Sequence, residues 1–328
     1  MTTRLLSILI IIAGAACSGG LNQSVALPTT ADILVAAQPS LQMESDFELA
    51  AQAIPGALKT VEGFYVVNLD HTKALVPVLT EGYCQYATAF VEDEWELAKF
   101  AKKLDEVEAQ NVRASKMFTR CLNYALTDLP KRWSTDLFGT PEVALALING
   151  TGLKDRTPMM WAGLALGGMI NHNLTRVEML AYLPTVKQIL ARVVELDTAH
   201  RGDIDGVKHQ PCDAGCTVRL ALPHIAFGMV FSAASSQFGG DSKRASDEFQ
   251  QALKITASKE YPEGRMLLAR VLWAYRVGIM TNDRKLFHDQ LVKVLDTDPG
   301  IWPEQRLANE VAHRRARRYL SHEKELFQ

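Results

Sequence analysis

The sequence predicts an all-α fold of helical hairpins stacked as a short solenoid. Three observations carry this. Apolar residues recur at spacings of three, four and seven, the later periodic segments come in pairs joined by short turns, and no convincing series of strand alternations occurs. Leu75, Leu79, Tyr83, Tyr86, Phe90 and Leu97 make one such face over residues 72–103. Val107, Ala114, Phe118, Cys121, Leu122 and Ala125 make the next, ended by Pro130.

Before these, a short helix over Phe47–Ala51 is expected to stop near Pro55, with a second from Gly56 to Leu69. After them come a short piece at Trp133–Phe138, a helix after Pro141, the apolar run Thr157–Asn171 and a helix from Pro184 to Leu196. Asp197–Thr217 breaks the rhythm with Gly202, Gly206, Pro211 and Gly215, an irregular insertion of the kind that is functional or flexible. Helices resume over 219–235, 241–257, 262–280, 283–296 and 303–321.

The chain of 328 residues is 48% hydrophobic and 22% charged, with a net charge of −2. That balance gives no electrostatic bias toward nucleic acid or acidic lipid. At the N-terminus, Arg4 precedes the apolar run Leu5–Ile12 and the small residues Ala13, Gly14, Ala15 and Ala16. The run is too short to span a bilayer but suits a secretory signal. Small residues followed by Cys17 resemble the bacterial lipobox, although Gly14 stands where Leu is usual. The resemblance implies acylation of Cys17, a lipid anchor in a bacterial membrane and a periplasmic location. Ser18 and Gly19 are not the Asp-type signal for inner-membrane retention, which favours the outer membrane. The expected division is a lipoprotein signal peptide over 1–16, a flexible tether over 17–42 and an α-helical domain over 43–328.

In an oxidising compartment the other four cysteines, Cys84, Cys121, Cys212 and Cys216, permit two bridges in three pairings. Cys212 and Cys216 share a short loop and are candidates for a local disulfide. Cys84 and Cys121 meet only if their helices are neighbours, and are otherwise buried thiols.

In the C-terminal half, Ala245, Phe249, Ala252 and Leu253 follow Gly239-Gly240, and Phe287, Leu291 and Leu295 follow the turn Thr281-Asn282-Asp283. This small-then-aromatic spacing resembles tetratricopeptide (TPR) repeats, with the two phenylalanines 38 residues apart. An irregular helical bundle is the alternative. Four ordered blocks resemble the T-component lipoproteins of tripartite ATP-independent periplasmic (TRAP) transporters. They are Glu81–Glu92, Arg113–Arg120, Met160–Gly167, and Phe238–Asp241 leading to Phe249–Leu253. The resemblance implies TPR-like hairpins, assembly as a homotrimer with a pore-like opening, and docking of the transporter's periplasmic substrate-binding subunit. Two departures stand out: the Cys212–Cys216 loop and Leu222-Pro223-His224.

No Gly-x-Ser-x-Gly elbow, His-Glu-x-x-His or phosphate-cradling glycine loop occurs, so no enzyme chemistry and no cofactor is indicated. His209, Cys212 and Cys216 offer soft zinc ligands only if the two sulfurs are not bridged. Asp203, Asp205 and Gly206 echo a calcium loop but lack its closing Glu. Glu92, Asp93 and Glu94 read as a wet helix face, and His313–Arg318 as the solubilising cap of a terminal helix.

Tyr83, Tyr86 and Phe90 form an aromatic stripe, and Met160 and Trp161 open a helix carrying Gly163, Gly167 and Gly168. Each such glycine weakens a helix by about 1 kcal/mol relative to Ala, a cost explained by close approach of another helix or of a ligand. With Asn171, these residues are the candidate pocket for a small hydrophobic or organic-acid ligand. The expected function is therefore an accessory lipoprotein of a TRAP-type uptake system; the alternative is a TPR-like scaffold for envelope protein assembly.

Overall fold

A computed structural model describes residues 23–67, 72–200, 212–233 and 240–327, with side chains from residue 30 onward. The described residues contain no strand. The helices are α1 (Gln23–Gln42), α2 (Phe47–Val67), α3 (Leu75–Tyr86), α4 (Glu92–Phe100), α5 (Leu104–Asp128), α6 (Trp133–Asp136), α7 (Pro141–Asn149), α8 (Arg156–Asn171), α9 (Val177–Leu180), α10 (Leu183–His200), α11 (Ala214–Phe231), α12 (Ser242–Ile255), α13 (Leu267–Thr281), α14 (Arg284–Asp296), α15 (Arg306–Ser321) and α16 (Glu323–Leu326). A π-helical turn, Ala87–Val91, joins α3 to α4.

Two apolar cores organise the chain. The first gathers α2, α3, α5 and the start of α8 around Leu79, Phe118, Trp133 and Met159. The second gathers α11 to α15 around Phe249, Leu267, Phe287 and Trp302. α8 and α10 serve both: Ala162 and Ile189 face the first core, Leu166 and Leu190 the second. α11 has a mean hydropathy of 1.4 over 18 residues, enough for a membrane span by length and composition. Its Ala221, Ile225, Phe227 and Phe231 are instead buried in the second core.

Glycine sets how closely the helices approach. A Cβ on Gly228 would lie 2.7 Å from the Phe249 ring, and one on Gly278 would lie 3.0 Å from Phe287 Cβ. These seams join α11 to α12 and α13 to α14, with the aromatic filling the space a side chain would take. Gly168 meets Phe118 and Gly163 meets Ile189 in the same way, at 2.6 Å. Tight packing therefore accounts for both of these α8 glycines, whereas Gly167 makes only ordinary contact with Val186.

Two segments differ from the sequence expectation. Gln23–Gln42 is a helix where its composition suggests a coil. Ala31 is buried, and Gln42 bridges Glu81 on α3, at 3.1 Å, and Gln305 beside α15, at 3.3 Å. These distant partners supply the stabilisation that a local pattern lacks. The helix over 47–67 runs through Pro55, because Ala50, Ile54, Leu58 and Val61 bury one continuous face. The signal peptide, Cys17, Asp203, Asp205, His209 and Phe238-Gly239 lie outside the described residues.

Cys84 and Cys121 form a disulfide between α3 and α5, across 37 residues. A bridge of that span stabilises a fold by about 2–4 kcal/mol. Cys212 and Cys216 are joined at the start of α11, where the Asp213 carboxylate also accepts the Cys216 N–H at 2.7 Å.

Gly228→Ala is expected to destabilise the fold by about 1–3 kcal/mol, because the Phe249 ring must shift. Gly56→Ala, on an exposed face with open space, is expected to stabilise it by about 0.5–1 kcal/mol. Urea denaturation of the two variants measures both signs.

Candidate functional site

The site is built where α4 meets α5, α8 and α15. α4 carries Glu92, Asp93 and Glu96 on one side, and that side packs on the basic face of α15. Asp93 is fully buried and accepts from Arg314 Nε at 2.7 Å and from Arg318 Nη2. Glu96 accepts from Arg318 Nη1 and from the Tyr319 hydroxyl, both at 2.6 Å. Arg315 Nη2 donates to Thr88 O in the π-helical turn at 2.6 Å and reaches Glu92 at 3.4 Å.

This arrangement corrects two expectations. Glu94 stays wet, but Asp93 is buried and Glu92 half-buried, and Arg315, Arg318 and His313 are buried rather than forming a solvated cap. The reason is mutual: each run finds its counterions on a helix more than 200 residues away.

The electrostatics follow. Burial pushes the Glu92 carboxyl up, but the hydrogen bond from His172 and the charges of Arg315 and Arg276 outweigh it and hold it below the ordinary carboxylate range. Burial and the neighbouring Glu96 carboxylate push the Tyr319 hydroxyl well above the usual phenol value. The Arg315 guanidinium is held charged, against its burial, by Glu96, Tyr319, Glu92 and Asp93.

His172 caps the end of α8 and ties three helices together. Its ring is buried, with Nδ1 3.1 Å from Asn111 Oδ1 on α5 and Nε2 3.2 Å from Glu92 Oε1 on α4. Trp95 stands edge-on to it at 5.2 Å, and Phe118 stacks on it at 6.0 Å.

Above His172 opens a cleft of about 800 Å³ between α4, α5 and the 171–176 turn. Leu104, Val107, Met117 and Leu174 give it apolar walls. Lys99, Lys102, Lys116, Arg120 and Arg176 also line it, against one acid, Glu108. Arg120 is committed to Glu62 at 2.9 Å, and Lys99 lies 4.9 Å over the Trp95 ring. Lys102, Lys116 and Arg176 form no ion pair with any described residue. Burial, and repulsion from Arg276, push the Lys99 ammonium below its ordinary value. The cleft therefore offers an anion positive charge beside apolar surface.

Of the residues expected to bind a ligand, only Asn171 lines this cleft. Tyr83, Tyr86, Phe90, Met160 and Trp161 fall in the first core, each no more than 6% exposed. The Tyr86 hydroxyl accepts from Arg113 at 2.8 Å, Tyr83 stacks on Tyr124 at 6.0 Å, and Phe90 lies 4.9 Å from Phe47. Their helical spacing records packing. The cleft cations come from separate segments, residues 99–102, 116–120 and 176, and only the fold brings them around one space. Cys212 and Cys216 are bonded to each other, so neither sulfur is available to a metal.

The model of the family described as "TRAP transporter T-component" matches residues 43–205 and 220–327. An uncharacterized protein of Treponema pallidum (strain Nichols) is 25% identical over 291 residues, covering 87% of this chain and 81% of that protein.

Asp93→Ala removes one carboxylate from each of Arg314 and Arg318, which keep Glu48 and Glu96, and is expected to cost about 2–3 kcal/mol in urea denaturation. Asp247→Ala, at an exposed pair with Lys243, should change nothing measurable. Because the Glu92 carboxyl lies below its unfolded value in the folded protein, its contribution is complete above the unfolded value and is lost as pH falls through the folded one. Glu92→Gln should accordingly flatten the fall in melting temperature between about pH 5 and pH 3.

Proposed function

Because this chain belongs to the TRAP transporter T-component family, we propose that it holds an anionic organic solute for a TRAP-type uptake system and docks that system's substrate-binding subunit over the cleft. An accessory role in TRAP transport, on the periplasmic side, follows from the family itself. The finer reading rests on one observation: five cationic side chains line the cleft against a single acid. A unit charge near a protein surface interacts with a counter-charge at contact by about 1–4 kcal/mol, depending on the local dielectric. Apolar walls between the cations favour a solute with hydrocarbon surface, worth about 25 cal/mol per Å² buried.

Docking is supported by the cleft's rim. Leu104 is 79% exposed, Val177 77% and Leu174 56%, a cluster of exposed apolar side chains at the cleft mouth and beside it. Exposed apolar clusters ringed by charge suit a transient protein partner. Acylation of Cys17 would hold the protein at the outer membrane's periplasmic face, with three copies assembling as the family resemblance implies. The glycine–aromatic seams of α11–α12 and α13–α14 support reading these hairpins as TPR-like repeats.

Calorimetric titration with small organic acids tests the solute. Binding is expected to weaken with salt, since the Debye length is about 8 Å at 0.15 M. The double variant Lys116→Glu/Arg176→Glu is expected to lower affinity at least about tenfold. An unchanged affinity for acids in that variant removes the cleft from the reading. Co-purification with the substrate-binding subunit should be lost in Leu104→Asp/Val177→Asp; retention places the docking face elsewhere.

A further inference from the structure

The two disulfides stand in opposite surroundings. Cys84 and Cys121 are both buried in the first core, 3% and 0% exposed. In the other pair Cys216, the third residue of α11, is fully buried, whereas Cys212 precedes the helix and is exposed. A thiolate arriving from solvent therefore has one disulfide sulfur within reach in the folded protein, Cys212 Sγ.

The Cys212–Cys216 bond does little for the fold. It bridges a separation of four residues where Cys84–Cys121 spans 37, and the chain entropy that a bridge removes grows with that span. Nor does α11 need it in order to start. Asp213 caps the helix: its carboxylate accepts the Cys216 N–H at 2.7 Å, and its carbonyl accepts the Thr217 N–H at 2.9 Å. Neither contact depends on the sulfurs. A bridge that is exposed at one end and duplicated by a cap is placed for chemistry rather than for support.

The surroundings also suit the group that must leave. Opening the bond at Cys212 expels Cys216 as a thiolate in the first turn of an 18-residue helix, whose N-terminal charge stabilises an anion. A stabilised leaving thiolate exchanges faster. Arg219, one turn on, brings its guanidinium back to the same turn, with Nη1 3.5 Å from the position of a Cβ on Gly215. Its Nε is shielded from solvent and donates to no protein atom. Asp213, the acid on this turn, is committed to the Cys216 N–H. The Thr217 hydroxyl lies 3.7 Å from Cys212 Sγ.

We propose that Cys212–Cys216 is a thiol–disulfide exchange site, reduced in the folded protein by a dithiol protein of the Cys-x-x-Cys type. One thiolate of the dithiol attacks Cys212 Sγ, the bond between the two sulfurs breaks, and Cys216 leaves as a thiolate. The dithiol's second thiol then attacks its own sulfur in the mixed disulfide and releases Cys212. Two electrons and two protons pass to this chain, and the dithiol departs as a disulfide. Neither cysteine lines the cleft, so the inference stands apart from the solute reading.

The test treats the full chain, without denaturant, with bacterial thioredoxin, its reductase and NADPH, followed by alkylation and peptide mass spectrometry. Cys212 and Cys216 should be labelled at least about tenfold faster than Cys84 and Cys121, whose sulfurs wait for the core to open. Thioredoxin with its second active-site cysteine replaced by serine should be trapped on Cys212. Cys212→Ser/Cys216→Ser should lower the melting temperature by less than Cys84→Ser/Cys121→Ser does. Arg219→Gln should slow the reduction severalfold while Cys84–Cys121 stays protected; an unchanged rate overturns the part given to Arg219. Labelling of all four cysteines together, or of none until urea is added, overturns the exchange site. So does trapping on Cys216, or a melting temperature that falls as far in Cys212→Ser/Cys216→Ser as in the other pair.

Discussion

The buried ion-pair network between α4 and α15 is the constraint on which the rest of the described structure depends. Asp93, Glu96, Arg315 and Arg318 are withdrawn from water, and desolvating such charges costs several kcal/mol each unless partners and geometry compensate. The carboxylates are compensated in full, because every oxygen of Asp93 and Glu96 meets a donor, whereas Arg315 Nε and Arg318 Nε donate to no protein atom. The network joins segments more than 200 residues apart, so it forms only once the intervening helices have stacked. It also brings the last long helix back against the N-terminal ones, where Gln42 meets Gln305 and Arg314 meets Glu48.

That return shapes the site. With α15 closing over α4, one side of α4 faces buried arginines, while Trp95 and Lys99 face the cleft. His172 fixes α4 relative to α5 and α8 through Glu92 and Asn111. The side chains that give the fold its closure therefore also line the small cavity between α4, α13 and α15.

The glycines play a complementary part. Gly168 and Gly228 let Phe118 and Phe249 sit flush against neighbouring helices, and Gly278 does the same for Phe287. Of these seams, Gly168–Phe118 fixes α8 against α5, whose residues line the cleft, while the other two set the hairpins of the second core.

By itself the sequence determined the helical class, most helix positions and the apolar faces, because these follow from local periodicity and from Pro and Gly punctuation. Four ordered blocks of residues carried the family resemblance. The sequence also held both disulfide partners without choosing their pairing. Tertiary structure alone decided which aromatic stripe was core, which charged run was buried and where a solute could enter. Tyr83 and Trp161 have the spacing of a pocket wall and of a core equally, and only the packing of α3, α5 and α8 distinguishes them. Asp93 and Arg318 look solvated because a charge's environment is set by its counterion, and theirs lies on a helix far along the chain. The cleft's positive lining is likewise invisible locally: Lys99, Lys116 and Arg176 come from separate segments, and a field exists only once folding places them around one space.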